Sequence, residues 1–491
     1  MMMRHRIVTP LRRVWISLLG LALFAGCHSR REQEQPMPKD PEPRSNVPVT
    51  EEDVTPPDVE IRPGSQWIEI SSMAELVEYA AKSGNRVKMK PGIYQMQDYL
   101  TPEVIKKTLP HATMVEFSGS RNQFDLTGVT IEVNTELLND FGNRVVREFF
   151  VSGNRNLILG LTVTDIGNAP TARGGQSMDV GGEQNTVKNI TLHVSGSAPY
   201  GYGDLLGKGD RRLVRMQKHS GLRVTGLNIR VLDCSIYSKS FGHLFFVQGG
   251  RDVLFENCYA EAVTRTTDEM LAETSGPAFE RGFASVYGDY QKKKRIPPGY
   301  TKSLSECGFR NYGAGAMTFV NCRAKNTRVG FALTRRNGDV LIRNCEATGC
   351  EVGYSLTGVT VIDSRGDAAN GPLLYLNGGQ RSRVDLALMP ATNPTTIHAL
   401  ATIAGDDHVV NLTKWQNQTR EQVHPILVGY RRPAGCNPFS PLGTSKASRI
   451  HLTNDTGMPV KVASTVRSSS ITSNGPVTDK GVGNTVTKVG E

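Results

Sequence analysis

The chain has 491 residues, with 50 Gly, only 7% aromatic residues and a formal charge of +10. That length can bury a large core, and many glycines with few aromatics favour turn-rich β structure over a helical bundle. Eight Cys are too few for a disulfide scaffold, and the basic balance favours acidic partners without naming one.

The first element in chain order is a basic stretch ending at Arg13. It runs into the apolar VWISLLGLALFAG and then Cys27, the layout of a signal peptide over residues 1–26. FAGC resembles the lipobox of bacterial lipoproteins, with Phe24 where Leu is usual, and the resemblance implies that Cys27 is lipidated and becomes the first mature residue. Ser29 in place of Asp implies an outer-membrane or cell-surface location, with the membrane reached through the lipid. Arg4, Arg6, Arg12 and Arg13 leave with the leader, so the mature charge is +6. Residues 27–63 are rich in Pro, Glu and Arg with few large apolar side chains, and they read as a disordered tether.

Folded structure is expected over 64–491, starting near Trp67. Ser72 with Glu75 three residues later forms a capping box, and Met73, Leu76, Val77 and Ala80 share one helical face. Gly84 suits the end of that helix, and RVKMKPGIY reads as strand, Pro-Gly turn, strand. One helix ahead of many strands suits a cap over an otherwise open sheet edge.

The phrases VLDC, FENC, FVNC and IRNC then repeat. With the Cys or its equivalent as marker, the marks fall at Leu161, Ile190, Cys234, Cys258, Cys322, Cys345 and Ser364. Three intervals lie near 20 to 24 residues, and the others read as one turn plus an insertion. This is the period of a β-helix in which each turn is one rung, with Asp/Asn and Cys stacked at one corner. The cysteines are then small buried fillers.

A strand accompanies each mark. Alternation puts Leu222, Phe245, Phe309, Phe331, Tyr354 and Leu374 in one inward column, and Val224, Val247, Asn311, Leu333, Leu356 and Leu376 in the next. Asn311 is expected to be a satisfied internal amide, and His243 a buried hydrogen-bonded histidine. Arg223, Phe246, Arg310, Ala332, Ser355 and Tyr375 point outward, as do Thr225, Gln248 and Tyr312. His219, Glu306, Arg328 and Glu351 are also read as outward.

The rungs, the helical cap and the leader resemble the pectin-lyase-like superfamily of right-handed parallel β-helices, particularly its secreted bacterial branch, over about residues 65–485. The fold expected is all-β, a right-handed parallel β-helix with an N-terminal helical cap. No full set of polygalacturonase motifs accompanies FGHL at Gly242.

Two insertions, 196–217 and 262–304, leave the coil on one side and are expected to wall a groove. That groove would carry Lys218, His219, Arg223, Arg310 and Arg328, with Arg265 and residues 292–295 on its wall. A basic trench suits an acidic polysaccharide. The resemblance then implies β-elimination at a uronic acid, with Lys or Arg in the acid–base roles and Ca²⁺ in some members. The expected catalytic set is Arg310 to neutralise the carboxylate, Lys218 or His219 as base, and Tyr312 as donor to the leaving oxygen. Arg223, Gln248, Arg265, Asp268, Glu306 and Arg328 would bind substrate.

Two alternatives stay open. A glycoside hydrolase would pair Asp268 or Glu269 with Glu306 across the groove. A noncatalytic glycan-binding module would need the groove alone. Thr266 and Glu269 also form a capping box, which favours a loop helix over an acid pair. The basic run at 292–295 reads as a solvated loop, so no nucleic acid is expected, and the protein is read as a monomer. Residues 396–489 read as final rungs and a closing cap.

Overall fold

The computed structural model describes residues 66–489, apart from 109, 168–173, 209–210, 289–292, 314, 392–398, 417–422 and 433–441. The leader, the tether, Cys27 and Lys292 lie outside the described residues.

The chain winds as a right-handed parallel β-helix, the hand that right-twisted strands favour in parallel crossovers. One face is a sheet of 13 described strands running from Thr113–Phe117 to Val477–Asp479. Its central strands are Gly174–Val180, Lys218–Val224, Phe245–Gln248, Cys307–Tyr312 and Val329–Thr334. The N-terminal helix Met73–Ala80 buries Met73, Leu76 and Ala80, and its N-cap Ser72 accepts from the Glu75 amide. Strands Arg86–Met89 and Gly92–Gln95 follow it into the first rung.

The repeated phrase marks one corner. The amide after each mark donates one rung back: Thr191 to Leu161, Ser235 to Ile190, Tyr259 to Cys234, Arg323 to Cys258, Glu346 to Cys322 and Arg365 to Cys345, at 2.8–2.9 Å. Asp233, Asn257, Asn321, Asn344 and Asp363 all sit near φ +50°, the left-handed conformation that Asn and Asp tolerate best among residues with a Cβ. Their side chains form an external ladder. Asn257 donates to Asp233 at 2.9 Å, Asn321 to Asn257 at 3.1 Å and Asn344 to Asn321 at 2.7 Å. The adjoining Cys234, Cys258, Cys322 and Cys345 are buried free thiols.

Both inward columns are in register. Leu222, Phe245, Phe309, Phe331, Tyr354 and Leu374 pair strand to strand. Phe245, Phe309, Phe331 and Tyr354 stack with centroids 4.9–5.1 Å apart and planes within 8°. Asn311 donates to the Thr334 carbonyl at 2.8 Å and accepts its amide at 2.9 Å, so the one polar member of its column is satisfied.

Strict alternation fails two residues before the sheet proper. A Cβ on Gly308 would lie 2.8 Å from Ala324 Cβ, one on Gly330 2.8 Å from Ala347 Cβ, and one on Gly221 2.9 Å from Ile236 Cδ1. These glycines therefore face the interior directly beside the inward Leu or Phe. The phase flips at this corner, and with it the side of the residues next to these glycines. Cys307, Val329 and Val352 turn outward and pack with Ala332 and Tyr375 in a second apolar layer. His219 turns inward and is completely buried, a correction to its outward assignment.

The first inserted loop carries the hairpin Gly207–Lys208 and Arg211–Arg212. The second carries strands Thr264–Thr266 and Thr301–Ser303 and the short helix Thr267–Leu271, capped by Thr266 and Glu269. The loops share a core of Tyr202, Leu205, Leu206, Met270, Ala278 and Ile296.

Candidate functional site

The loops are bolted to the sheet by buried charges. Lys302 Nζ contacts Asp204 Oδ1 at 2.5 Å and Glu351 Oε2 at 2.7 Å, while Arg328 Nη1 contacts Asp204 Oδ2 at 2.8 Å. Tyr287 donates to the same Asp204 oxygen at 2.9 Å. Buried charges persist when each finds a partner in this way. Arg328 and Glu351 are therefore buried anchors, which corrects the reading of Arg328 as a groove residue and substrate contact.

Outward side chains further along the sheet are covered as well, which shortens the groove. Phe246, Ala332, Ser355 and Tyr375 are all buried although they point away from the solenoid interior. The open part is a cleft of about 380 Å³ over the strands Gly174–Val180 and Lys218–Val224. Lys208, Arg212, Lys218 and Arg223 line it, with Gln176 and Phe246. None of its lining residues is acidic. Asp179, behind Arg223, accepts from Arg223 Nη2 at 2.6 Å and lies 3.9 Å from Arg147.

Against Phe246 stands a polar chain. The His243 and Phe246 rings lie 5.3 Å apart. Tyr312 Oη is 2.6 Å from His243 Nε2, and that nitrogen is 3.4 Å from Glu306 Oε2. Lys218 Nζ lies 2.8 Å from the same carboxylate oxygen and Arg328 Nη2 3.8 Å from the other. Arg310 packs its guanidinium 4.7 Å from the Tyr312 ring centroid and donates to the Ala332 carbonyl at 3.3 Å.

Burial lowers His243 to about 3, with Lys218, Arg310 and Arg328 adding to the shift, so the imidazole is neutral at ordinary pH. Burial and Glu306 raise the Tyr312 phenol, which stays protonated. Burial would raise Glu306, but its neighbours, His243 first and then the Lys218, Lys208 and Arg328 side chains, hold it well below the usual carboxylate range. Lys208 is lowered by burial and then by Arg328, against the pull of Glu306.

The expected residues thus divide. Lys218 and Arg223 line the cleft, and Tyr312, Glu306 and Arg310 gather beside it. Arg223 and Arg310 share a column through Phe246. His219 lies beneath the floor, where it cannot meet a substrate. Arg265 pairs with Glu273 at 2.7 Å inside the loop, and Asp268 accepts the Gly299 amide at 3.0 Å. Gln248 is exposed at the end of its strand. Sequence reasoning missed Lys208 and Arg212, which sit in an insertion without rung periodicity. His243 is buried, as expected, and its bond to Tyr312 leaves no signal in the sequence.

No family model matches the sequence, and the curated proteins give no match. Solved structures with similar folds include an alginate lyase in complex with G6, at 11% identity and TM-score 0.43, covering 88% of this chain and 89% of that one. A rhamnogalacturonan lyase matches at 13% identity and TM-score 0.40, over 77% and 82%. The catalytic domain of a GH87 alpha-1,3-glucanase in complex with nigerose matches at 11% and 0.40, over 89% and 70%. The parallel rungs and the helical cap give the chain the architecture of a parallel β-helix closed at its N-terminal end by a helix.

Proposed function

We propose that the protein is a carbohydrate-active enzyme, a polysaccharide lyase that cleaves a uronate-containing glycan by β-elimination. The observation that carries this reading is a cleft lined by four basic side chains and no carboxylate, set beside a Tyr312–His243–Glu306 chain. The C5 proton of a uronate becomes removable once its carboxylate charge is offset, and fixed guanidinium and ammonium groups supply that offset.

In this reading Arg223 and Arg212 hold the carboxylate. Lys208, with its ammonium form disfavoured by burial, takes the C5 proton. The C4–O bond breaks as the C4–C5 double bond forms, and Tyr312 gives its proton to the departing oxygen. Neutral His243 donates its Nε2–H to Tyr312 Oη, which keeps the phenol aimed and leaves the phenol's own proton free for the departing oxygen. Lys218, held by Glu306, acts as a fixed cation and not as the base.

Ca²⁺, which the fold resemblance admits, is not matched by the donors here. A Ca²⁺ site needs several free oxygen ligands, and the carboxylates nearest the cleft, Asp179 and Glu306, are held by Arg223 and Lys218. A hydrolase is disfavoured by the same geometry: Glu306 is buried in its ion pairs, Glu269 closes a capping box and Asp268 holds a loop amide.

The test is a panel of acidic polysaccharides followed by ultraviolet absorbance of the unsaturated uronide product. New reducing ends without that absorbance would indicate a hydrolase, and binding without turnover a glycan-binding module. The proposal extends to export and anchoring through Cys27. A Cys27→Ser chain then moves from the membrane to the soluble fraction, and unchanged membrane association would refute the anchor.

A further inference from the structure

Beneath the cleft floor lies a second constellation that the proposed reaction does not use. Glu148, Asp165 and His219 come from the strands Val146–Val151, Thr162–Ile166 and Lys218–Val224, and all three side chains are shut off from solvent. His219 Nε2 lies 3.2 Å from Glu148 Oε1, and its Nδ1 lies 3.4 Å from Asp165 Oδ2. Nδ1 is also 2.5 Å from the Ser195 carbonyl oxygen. A carbonyl can only accept, so Nδ1 carries the hydrogen, and Nε2 faces Glu148.

The carboxylates lack charge partners to match. Glu148 has the Asp165 carboxyl and the Ser177 hydroxyl as its side-chain hydrogen-bond neighbours, and no cation among the described residues pairs with it. Asp165 Oδ2 accepts the Ser195 amide at 2.8 Å. The nearest cations along the same strands look the other way: Arg147 turns to Asp179 and Lys218 to Glu306. Two carboxyl groups and an imidazole thus converge in a space closed to solvent, where burial disfavours their charged forms unless a cation joins them.

We propose that Glu148, Asp165 and His219 bind one divalent transition ion of the Zn²⁺ class. Each residue offers one ligand atom, and the three atoms lie within 4.8 Å of one another. Bonds of about 2.0–2.2 Å would close that spacing with a small inward shift. Two carboxylates offset the ion's charge, which leaves a neutral buried centre. One imidazole with oxygen donors suits Zn²⁺ and its borderline neighbours, and Ser177 Oγ, 3.3 Å from His219 Nε2, is a fourth donor at hand. The Nδ1–H bond to Ser195 is the outer contact that orients a metal-binding imidazole.

The site is structural. A Cβ on Gly175, a residue of the cleft floor, would lie 2.8 Å from His219 Cδ2, so the Gly175 backbone covers the ring and leaves no route for substrate. The ion would instead pin neighbouring rungs under the floor that carries Lys218 and Arg223.

Tag-free full-length chain, loaded with Zn²⁺ and dialysed, tests this by elemental analysis and thermal unfolding. About one Zn²⁺ per chain should be retained, with a higher Tm than the chelator-treated protein, and Glu148→Gln and His219→Gln should each lose the ion. Co²⁺ loading of the wild type gives a readout that does not depend on the variants folding: weak visible bands of an oxygen- and nitrogen-bound ion. No retention of Zn²⁺, Mn²⁺ or Co²⁺ by the wild type would overturn the proposal and leave a shared proton between the carboxyls. An intense near-ultraviolet thiolate band, or full retention by folded Glu148→Gln, would overturn it by placing the ion elsewhere.

Discussion

Tyr312 Oη lies 2.6 Å from Nε2 of His243, two side chains that reach each other across adjacent strands of the sheet. Burial and Glu306 keep the phenol protonated, and burial keeps the imidazole neutral, so the pair is set to present one proton at the edge of a basic cleft. Tyr312→Phe keeps the ring stacked beside Arg310 and removes only that proton. Its turnover on the best acidic glycan should fall by about 100-fold or more, with an unchanged Tm. Initial rates with the purified variant check this, and near-wild-type turnover would remove Tyr312 from the reaction.

Acid should loosen the fold through His243. In the folded chain it titrates at about 3, against an ordinary value of 6.5, so between these values the unfolded chain binds a proton that the folded chain refuses. Stability should therefore fall as pH drops from about 6.5 towards 3. Glu306, held low in the fold, adds to the loss as pH falls below its ordinary value of 4.5. Denaturant midpoints across this range should show the decline, and His243→Gln should flatten its upper part. A wild-type midpoint that is constant from pH 7 to pH 4 would contradict the assignment.

The thiol corner is a matter of packing. Cys258 is buried at the corner, with Sγ 3.3 Å from the Val231 carbonyl oxygen. Cys258→Ala should cost about 1–2 kcal/mol through a small cavity and leave turnover intact. Lost turnover in a folded variant would give the thiol a role beyond packing.

The outer ladder separates backbone conformation from side-chain bonding. Asn321 sits at φ +54°, donates to Asn257 and accepts from Asn344. Asn321→Ala loses both the tolerated left-handed conformation and the ladder, and should cost about 1–2 kcal/mol. Asn321→Gly keeps the conformation and should cost less. Equal losses in urea unfolding would mean that the ladder bonds alone matter.

Much of the solenoid was legible because a parallel β-helix repeats its constraints. A corner that needs φ near +50° selects Asp or Asn each time, and the next position needs a small buried filler, so Asp233–Cys234 through Asn344–Cys345 mark the phase in plain sequence. The columns through Phe309 and Asn311 followed from period 2. The site was less legible for two physical reasons. The inward glycines Gly221, Gly308 and Gly330 flip the alternation, which moved His219 to the wrong side and is invisible to a period-2 count. The insertions obey no period, so neither the burial of Arg328 under Asp204 nor the arrival of Lys208 and Arg212 at the cleft could be read from spacing.

The basic cleft is the central claim, and Lys208 and Arg223 test it together. Release of unsaturated uronide by the wild type, Lys208→Ala, Arg223→Ala and Arg383→Ala should be compared on one acidic polysaccharide. Arg383 is exposed on another face of the solenoid and serves as the control. Loss of about 100-fold or more in both cleft variants, with folded protein and an Arg383 variant near wild type, is the result expected for a base and a carboxylate clamp. Wild-type turnover in folded Lys208→Ala and Arg223→Ala would contradict the account.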